Sequence, residues 1–166
     1  MPQNIMVSVI GEGEYMPWMV RAILSREIIP PRNLFLSAKN KVACEAAQSY
    51  PVSICEDDLS ALIKCEIALI VAPKREMSTE LAKIAGSAQK RVIVTVCDNE
   101  QVNLAYVAER ITTATEFIAA VLHRNEHGAL YATYEISQKA RLFLHQPCRD
   151  LVDAMCNMVN EERVAF

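Results

Sequence analysis

Asn4-Ile5-Met6-Val7-Ser8-Val9-Ile10-Gly11-Glu12-Gly13-Glu14-Tyr15-Met16 decides how the rest of the chain is read, together with the apolar run that continues to about Leu24. Residues 4–10 are nearly all apolar, as in a strand with both sheet faces covered by helices. Two glycines then allow a tight turn, and a helix follows. Such a unit aims backbone N–H groups and a helix N-terminus at the carboxyl end of a strand, where a dinucleotide pyrophosphate binds. The Gly-x-Gly-x-x-Gly pattern wants Gly or Ala at position 16, where Met16 stands. Glu12 and Glu14 add negative charge beside the expected phosphates.

Outward from that stretch, strands and helices alternate. Pro17 suits the first turn of a helix, and Met16, Met19, Val20 and Ile23 recur at helical spacing as an apolar face. Pro30-Pro31 ends the helix. The pattern then predicts a strand over 33–37, a helix over 41–49 with Val42, Ala46 and Ala47 inward, and a short strand over 52–55. Asp57-Asp58 offers a cap for a helix over 58–64. A buried strand over 66–72, a helix over 76–86 and a strand over 91–96 follow. This order predicts an α/β fold of Rossmann type, a doubly wound, mainly parallel sheet with helices on both faces.

Beyond Val96 the pattern predicts a helix over 99–109 with Val102, Ala105 and Tyr106 inward, and strands over 117–122 and 129–134. Two helical stretches divided by Pro147 come next, the second with Leu151, Met155, Met158 and Val159 on one face. Val164-Ala165-Phe166 reads as a last short strand.

Composition narrows the function classes. The chain has 166 residues, 52% of them apolar and 22% charged, which suits a single domain with one sizeable core. The net charge is −3 and the basic residues are scattered, so no stripe argues for nucleic acid. No apolar run approaches the ~18–20 residues of a membrane span, and the expected location is the cytoplasm. The six cysteines form no Cys-x-x-Cys pair and read as small buried hydrophobes. His123, His127 and His145 lack a neighbouring thiolate cluster, so no metal is expected.

From Ile10-Gly11-Glu12-Gly13, Ala22-Ile23-Leu24, Pro31-Arg32-Asn33-Leu34, Leu69-Ile70-Val71-Ala72-Pro73-Lys74 and His127-Gly128-Ala129-Leu130-Tyr131, the sequence resembles the N-terminal NADP-binding domain of the pyrroline-5-carboxylate reductase family over roughly residues 4–166. The resemblance implies that Gly11, Glu12, Gly13, Glu14, Tyr15 and Met16 surround the pyrophosphate. It places Ser37, Lys39 and Asn40 at the end of the second strand, where family members often carry an Arg for the 2′-phosphate. Lys39 supplies a point charge there instead of a bidentate fork, or is a solvated loop lysine. Ala72, Pro73 and Lys74 fall near the nicotinamide ribose.

The sequence also departs from the family. Met16 and Trp18 are bulky where small residues are usual, Cys97-Asp98-Asn99-Glu100 follows strand five, and Leu122-His123-Arg124-Asn125 displaces a Met-Pro-Asn. The helical C-terminal domain, which in the family makes the dimer and completes the substrate site, is missing from the resemblance. The implied activity is that of an NADP-linked oxidoreductase acting on a small-molecule substrate, a cyclic imine or a relative, in keeping with proline biosynthesis. The alternative is a non-catalytic binding or regulatory module that self-associates, as a homodimer, through apolar residues around Met155, Met158 and Phe166, or that binds a protein partner. The catalytic residues are not fixed by the sequence; His123 and Cys97 are candidates at strand ends, Cys97 also as an exposed redox-sensing thiol.

Overall fold

The computed structural model describes residues 4–111, 116–137 and 142–164. In chain order the elements are β1 (Val7–Gly11), α1 (Tyr15–Ser25), a 3-10 turn (Pro31–Asn33), β2 (Leu34–Ser37), α2 (Lys41–Ala46), β3 (Ser53–Cys55), α3 (Asp58–Leu62), β4 (Ile67–Val71), α4 (Lys74–Ile84), β5 (Val92–Cys97), α5 (Leu104–Arg110), β6 (Glu116–Arg124), β7 (Leu130–Ile136) and α6 (Leu142–Val164).

All seven strands join one sheet in the order β3-β2-β1-β4-β5-β6-β7. Neighbours run parallel except β6 and β7, which form an antiparallel pair. This is the α/β Rossmann-type sheet that the alternating pattern predicts. The strand order reverses between β1 and β4, which pair from Val7 with Ile67 to Gly11 with Val71. The crevice at that reversal, beyond the carboxyl ends of the strands, is where such sheets place their ligands.

Alternate residues of each strand feed opposite layers. Val7 and Val9, Leu69 and Val71, and Val94 and Val96 pack with α1 and α6, whereas Ile10, Ile70, Ile93 and Cys97 pack with residues of α4 and α5. Each fully buried Leu or Ile contributes about 1.5–3 kcal/mol, and the central strands carry many of them.

Three expectations about helices change. The 41–49 helix is only Lys41–Ala46, and Val42 is 52% exposed while Ala43 is buried. Fewer than two turns of helix bury few positions; Ala43 takes one of them, and Ala47, expected inward, is buried just past the helix end. In α5 it is Val107 that is buried, and Ala105 faces out. Pro147 does not divide the C-terminal segment; it lies inside the single helix α6. A proline inside a helix costs about 3 kcal/mol. Here Leu144, Cys148, Leu151, Val152, Met155 and Cys156 form a continuous buried stripe across it, packed on α1 and β7. Val164 ends this helix, so it does not open a strand, and residues 165–166 lie outside the described residues.

Candidate functional site

The glycine turn is built against the end of β4. Gly11 has φ +135°, and a Cβ there would stand 1.9 Å from the Val71 carbonyl oxygen. The next residue, Glu12, donates its N–H to that same oxygen at 3.0 Å. Gly13 has φ +94°, and a Cβ would meet Pro73 Cδ at 2.9 Å. Both positions need glycine because the turn crosses the strand end at backbone contact and in left-handed conformations. Helix α1 then starts at Tyr15 with Glu14 at its N-cap, and no side chain caps its first N–H groups. Asn40 braces the turn from the other side: its Nδ2 donates to the Gly11 carbonyl at 3.0 Å, while its Oδ1 caps α2 by accepting from Ala43 N at 3.1 Å.

Two clefts open on either side of this turn, and Glu12 lines both. The larger, about 560 Å³, lies toward β2 and β3 and is lined by Gly11, Glu12, Ser37, Lys39, Asn40, Lys41, Val42, Asp57, Asp58, Leu59, Glu80 and Lys83. The smaller, about 220 Å³, lies toward β4 and β5, between Glu12, Gly13, Glu14 and Tyr15 on one side and Val71, Ala72, Pro73, Arg75, Val96 and Asp98 on the other.

The larger cleft mixes charges. Asp57 caps α3, accepting the Ser60 N–H at 2.8 Å, and that bond holds its carboxyl below the ordinary range. Burial pushes Asp58 up, with Lys83 and Lys39 opposing. Glu80 is 5% exposed; its Oε1 accepts from Lys83 Nζ at 3.0 Å and its Oε2 has no partner. Burial works to lower Lys83, but Glu80, Asp58 and Glu12 overcome it and its ammonium is held above its ordinary value. In the smaller cleft, burial raises the Tyr15 phenol, Glu14 and Asp98 add to the rise, and the Arg124 charge opposes it.

The residues singled out from the sequence divide accordingly. Gly11, Glu12, Ser37, Lys39 and Asn40 line the larger cleft, and Glu12, Gly13, Glu14, Tyr15, Ala72 and Pro73 the smaller. Ser37 is buried, with its Oγ accepting from Lys39 N at 3.1 Å, so it shapes the loop that carries Lys39. Two residues point elsewhere. Met16 is 1% exposed and packs into the core between sheet and helices, and Lys74 turns away to bond Gln101. Trp18 also packs against the core, with the Arg21 guanidinium 5.5 Å from its ring centroid. Neither Met16 nor Trp18 lines the clefts.

Asp57, Asp58, Glu80 and Lys83 were not anticipated as site residues. Asp57-Asp58 gave only a capping signal, and Glu80 and Lys83 reach the cleft from the C-terminal half of α4. Cys97 is not an exposed thiol: it is 1% exposed, and burial pushes its pKa up, which leaves little thiolate for chemistry. His123 stacks on Tyr131 at 5.2 Å and bonds Thr133 Oγ1 at 2.8 Å, on the β6–β7 surface. Among the described residues no group of three His, Cys, Asp or Glu is placed to hold a metal, and no helix is long and apolar enough to cross a membrane.

No family model matches the sequence, and no curated protein matches it. Solved structures do. The Plasmodium falciparum pyrroline carboxylate reductase with NADP bound superposes with a TM-score of 0.73 at 14% identity, covering 92% of this chain and 56% of that one. The Coxiella burnetii pyrroline-5-carboxylate reductase gives 0.75 at 9% identity, covering 92% and 57%. The fold is that of about half of each of these reductases. A Streptomyces aurantiacus imine reductase is similar too, at 0.66 and 16% identity over 90% and 52%. The chain thus spans little more than half the length of the reductases it matches, and at such identities the likeness is one of fold.

Proposed function

We propose that the chain binds NADP across the glycine turn and serves an NADP-linked oxidoreductase reaction, hydride transfer to a cyclic imine or a related small substrate. The observation that carries this reading is the pair of clefts meeting at Glu12, one on each side of the uncapped start of α1. A dinucleotide needs that arrangement: a nucleoside on each side of a helix N-terminus, with the pyrophosphate over its free N–H groups. The end of β2 is the side that reads the adenosine ribose, and Lys39 and Lys41 stand there for a 2′-phosphate. The nicotinamide half then falls to the cleft of Tyr15, Ala72, Pro73 and Asp98. Bound NADPH would supply the hydride. The fold shared with a reductase solved with NADP supports the same choice.

Calorimetric titration of NADPH and NADH into the purified chain tests it. Saturable binding that prefers NADPH, with the preference reduced in Lys39→Ala, supports the reading; no binding of either at millimolar cofactor overturns it. NADPH oxidation with cyclic imines then tests turnover.

One observation favours the non-catalytic alternative. Glu12 and Glu14 put two carboxylates beside the phosphate position, where a dinucleotide binds less tightly. The apolar tail invoked for self-association is mostly spent on the core: Met155 is fully buried and Met158 packs against it, and Phe166 lies outside the described residues. Sedimentation at micromolar concentration tests the homodimer that this alternative includes, and a monomer removes it.

A further inference from the structure

The smaller cleft brings a single neutral hydroxyl to the end of the sheet. Tyr15 opens α1, half-buried, with its ring packed on the core. Its cleft neighbours with ionisable side chains are the carboxylates Glu12, Glu14 and Asp98 and the guanidinium of Arg75. A second guanidinium, from Arg124 at the last position of β6, lies within electrostatic reach of the Tyr15 hydroxyl. Arg124 is itself fixed by the turn after β6, its Nη1 donating to the Gly128 carbonyl at 2.8 Å. The phenol therefore lines the cleft beside the glycine turn, on the side where the dinucleotide reading puts the nicotinamide.

We propose that Tyr15 is the proton donor of the reaction, assisted by the Arg124 charge, for a small substrate whose C=N bond is reduced over the β4–β5 side of the turn. This rests on the proposed NADP-linked reading. As the imine carbon receives the hydride that NADPH supplies, Tyr15 Oη passes its proton to the imine nitrogen. The O–H bond breaks and an N–H bond forms; the imine is reduced to an amine and the dihydronicotinamide is oxidised. The phenolate left behind recovers a proton from solvent. Two properties fit the role. A phenol is protonated at neutral pH, and burial, Glu14 and Asp98 push the Tyr15 value further up, so the proton is available. The Arg124 charge favours the phenolate that the step creates. A positioned general acid is worth about 10²–10⁴-fold in rate.

The test uses the full chain with NADPH and 1-pyrroline. Tyr15→Phe keeps the packed ring and removes only the hydroxyl, so kcat should fall about 10²–10⁴-fold with NADPH affinity unchanged. Arg124→Gln should lower kcat less, and it gives a readout that needs no cofactor. The tyrosinate absorbance titration of Tyr15, taken as the difference from the Tyr15→Phe chain, should move to higher pH when the guanidinium is gone. Normal NADPH binding with kcat of Tyr15→Phe within about threefold of wild type, well short of a general acid's share, overturns this inference alone. So does a tyrosinate titration that Arg124→Gln leaves in place. NADPH binding without imine turnover in the wild type overturns this inference together with the imine-reduction part of the proposed function. Failure of the wild type to bind NADPH overturns the reading of the clefts and this inference with it.

Discussion

The two clefts flanking the glycine turn are made in different ways. The one toward β4 and β5 is set by main chain: Gly11 and Gly13 lie against Val71 and Pro73, and Ala72 is buried beside them. The one toward β2 and β3 is set by long charged side chains that come from α2, α3 and α4. Backbone contact of the first kind fixes a shape that single substitutions break outright, whereas a charged lining of the second kind tunes preference and tolerates change. Structural damage should therefore come from the turn, and selectivity from the β2–β3 side.

Gly11→Ala breaks the comparison at its root. Its Cβ collides with the Val71 carbonyl in a backbone conformation that alanine avoids, so stability should fall by about 3 kcal/mol or more and both clefts should lose cofactor. Chemical denaturation measures the first effect and calorimetry the second. Unchanged stability would mean that the close approach of β1 and β4 is not required.

Lys39→Ala acts on one side only. Loss of an exposed lysine facing a phosphate is worth about 1 kcal/mol, roughly fivefold, and it should weaken NADPH while leaving NADH untouched. Equal weakening of both cofactors would move Lys39 away from the 2′-phosphate. Glu12→Gln touches both sides. A unit charge ~6 Å from a phosphate in high dielectric costs ~0.7 kcal/mol, so this variant should bind NADPH and NADH alike about threefold more tightly.

Asp57→Ala is the mildest change, and its effect depends on pH. The Ser60 N–H bond holds the Asp57 carboxyl below its ordinary 3.8, so its contribution is present above that value and is lost as pH falls through the lower folded value. The variant should melt earlier than wild type at neutral pH, and the gap should close toward pH 2 on thermal scans. Asp57→Asn, which keeps a capping acceptor, should show a smaller gap at neutral pH.

Much of the first kind of structure was legible in the sequence. β4 is an unbroken apolar run and β1 and β5 are nearly so, bounded by glycine, proline or charge, and Gly11 and Gly13 marked the turn between β1 and α1. The inward face of α1 was legible as well, and it already placed Met16 with Met19, Val20 and Ile23 in the core, against the motif reading that set it at the pyrophosphate. The charged cleft was legible only in part. Ser37, Lys39 and Asn40 follow a strand, so their place at its end could be read locally. Glu80 and Lys83 face the cleft because α4 packs across the sheet next to α3, a tertiary relation with no local mark. Pro147 misled for the same reason, since the buried stripe that carries α6 through it depends on α1 and β7.

The account stands most directly on NADPH and NADH titrated by calorimetry into the wild-type chain and into Lys39→Ala. The account predicts saturable binding of NADPH, weaker binding of NADH, and a preference that shrinks about fivefold in Lys39→Ala. No heat of binding from either cofactor at millimolar concentration would contradict it.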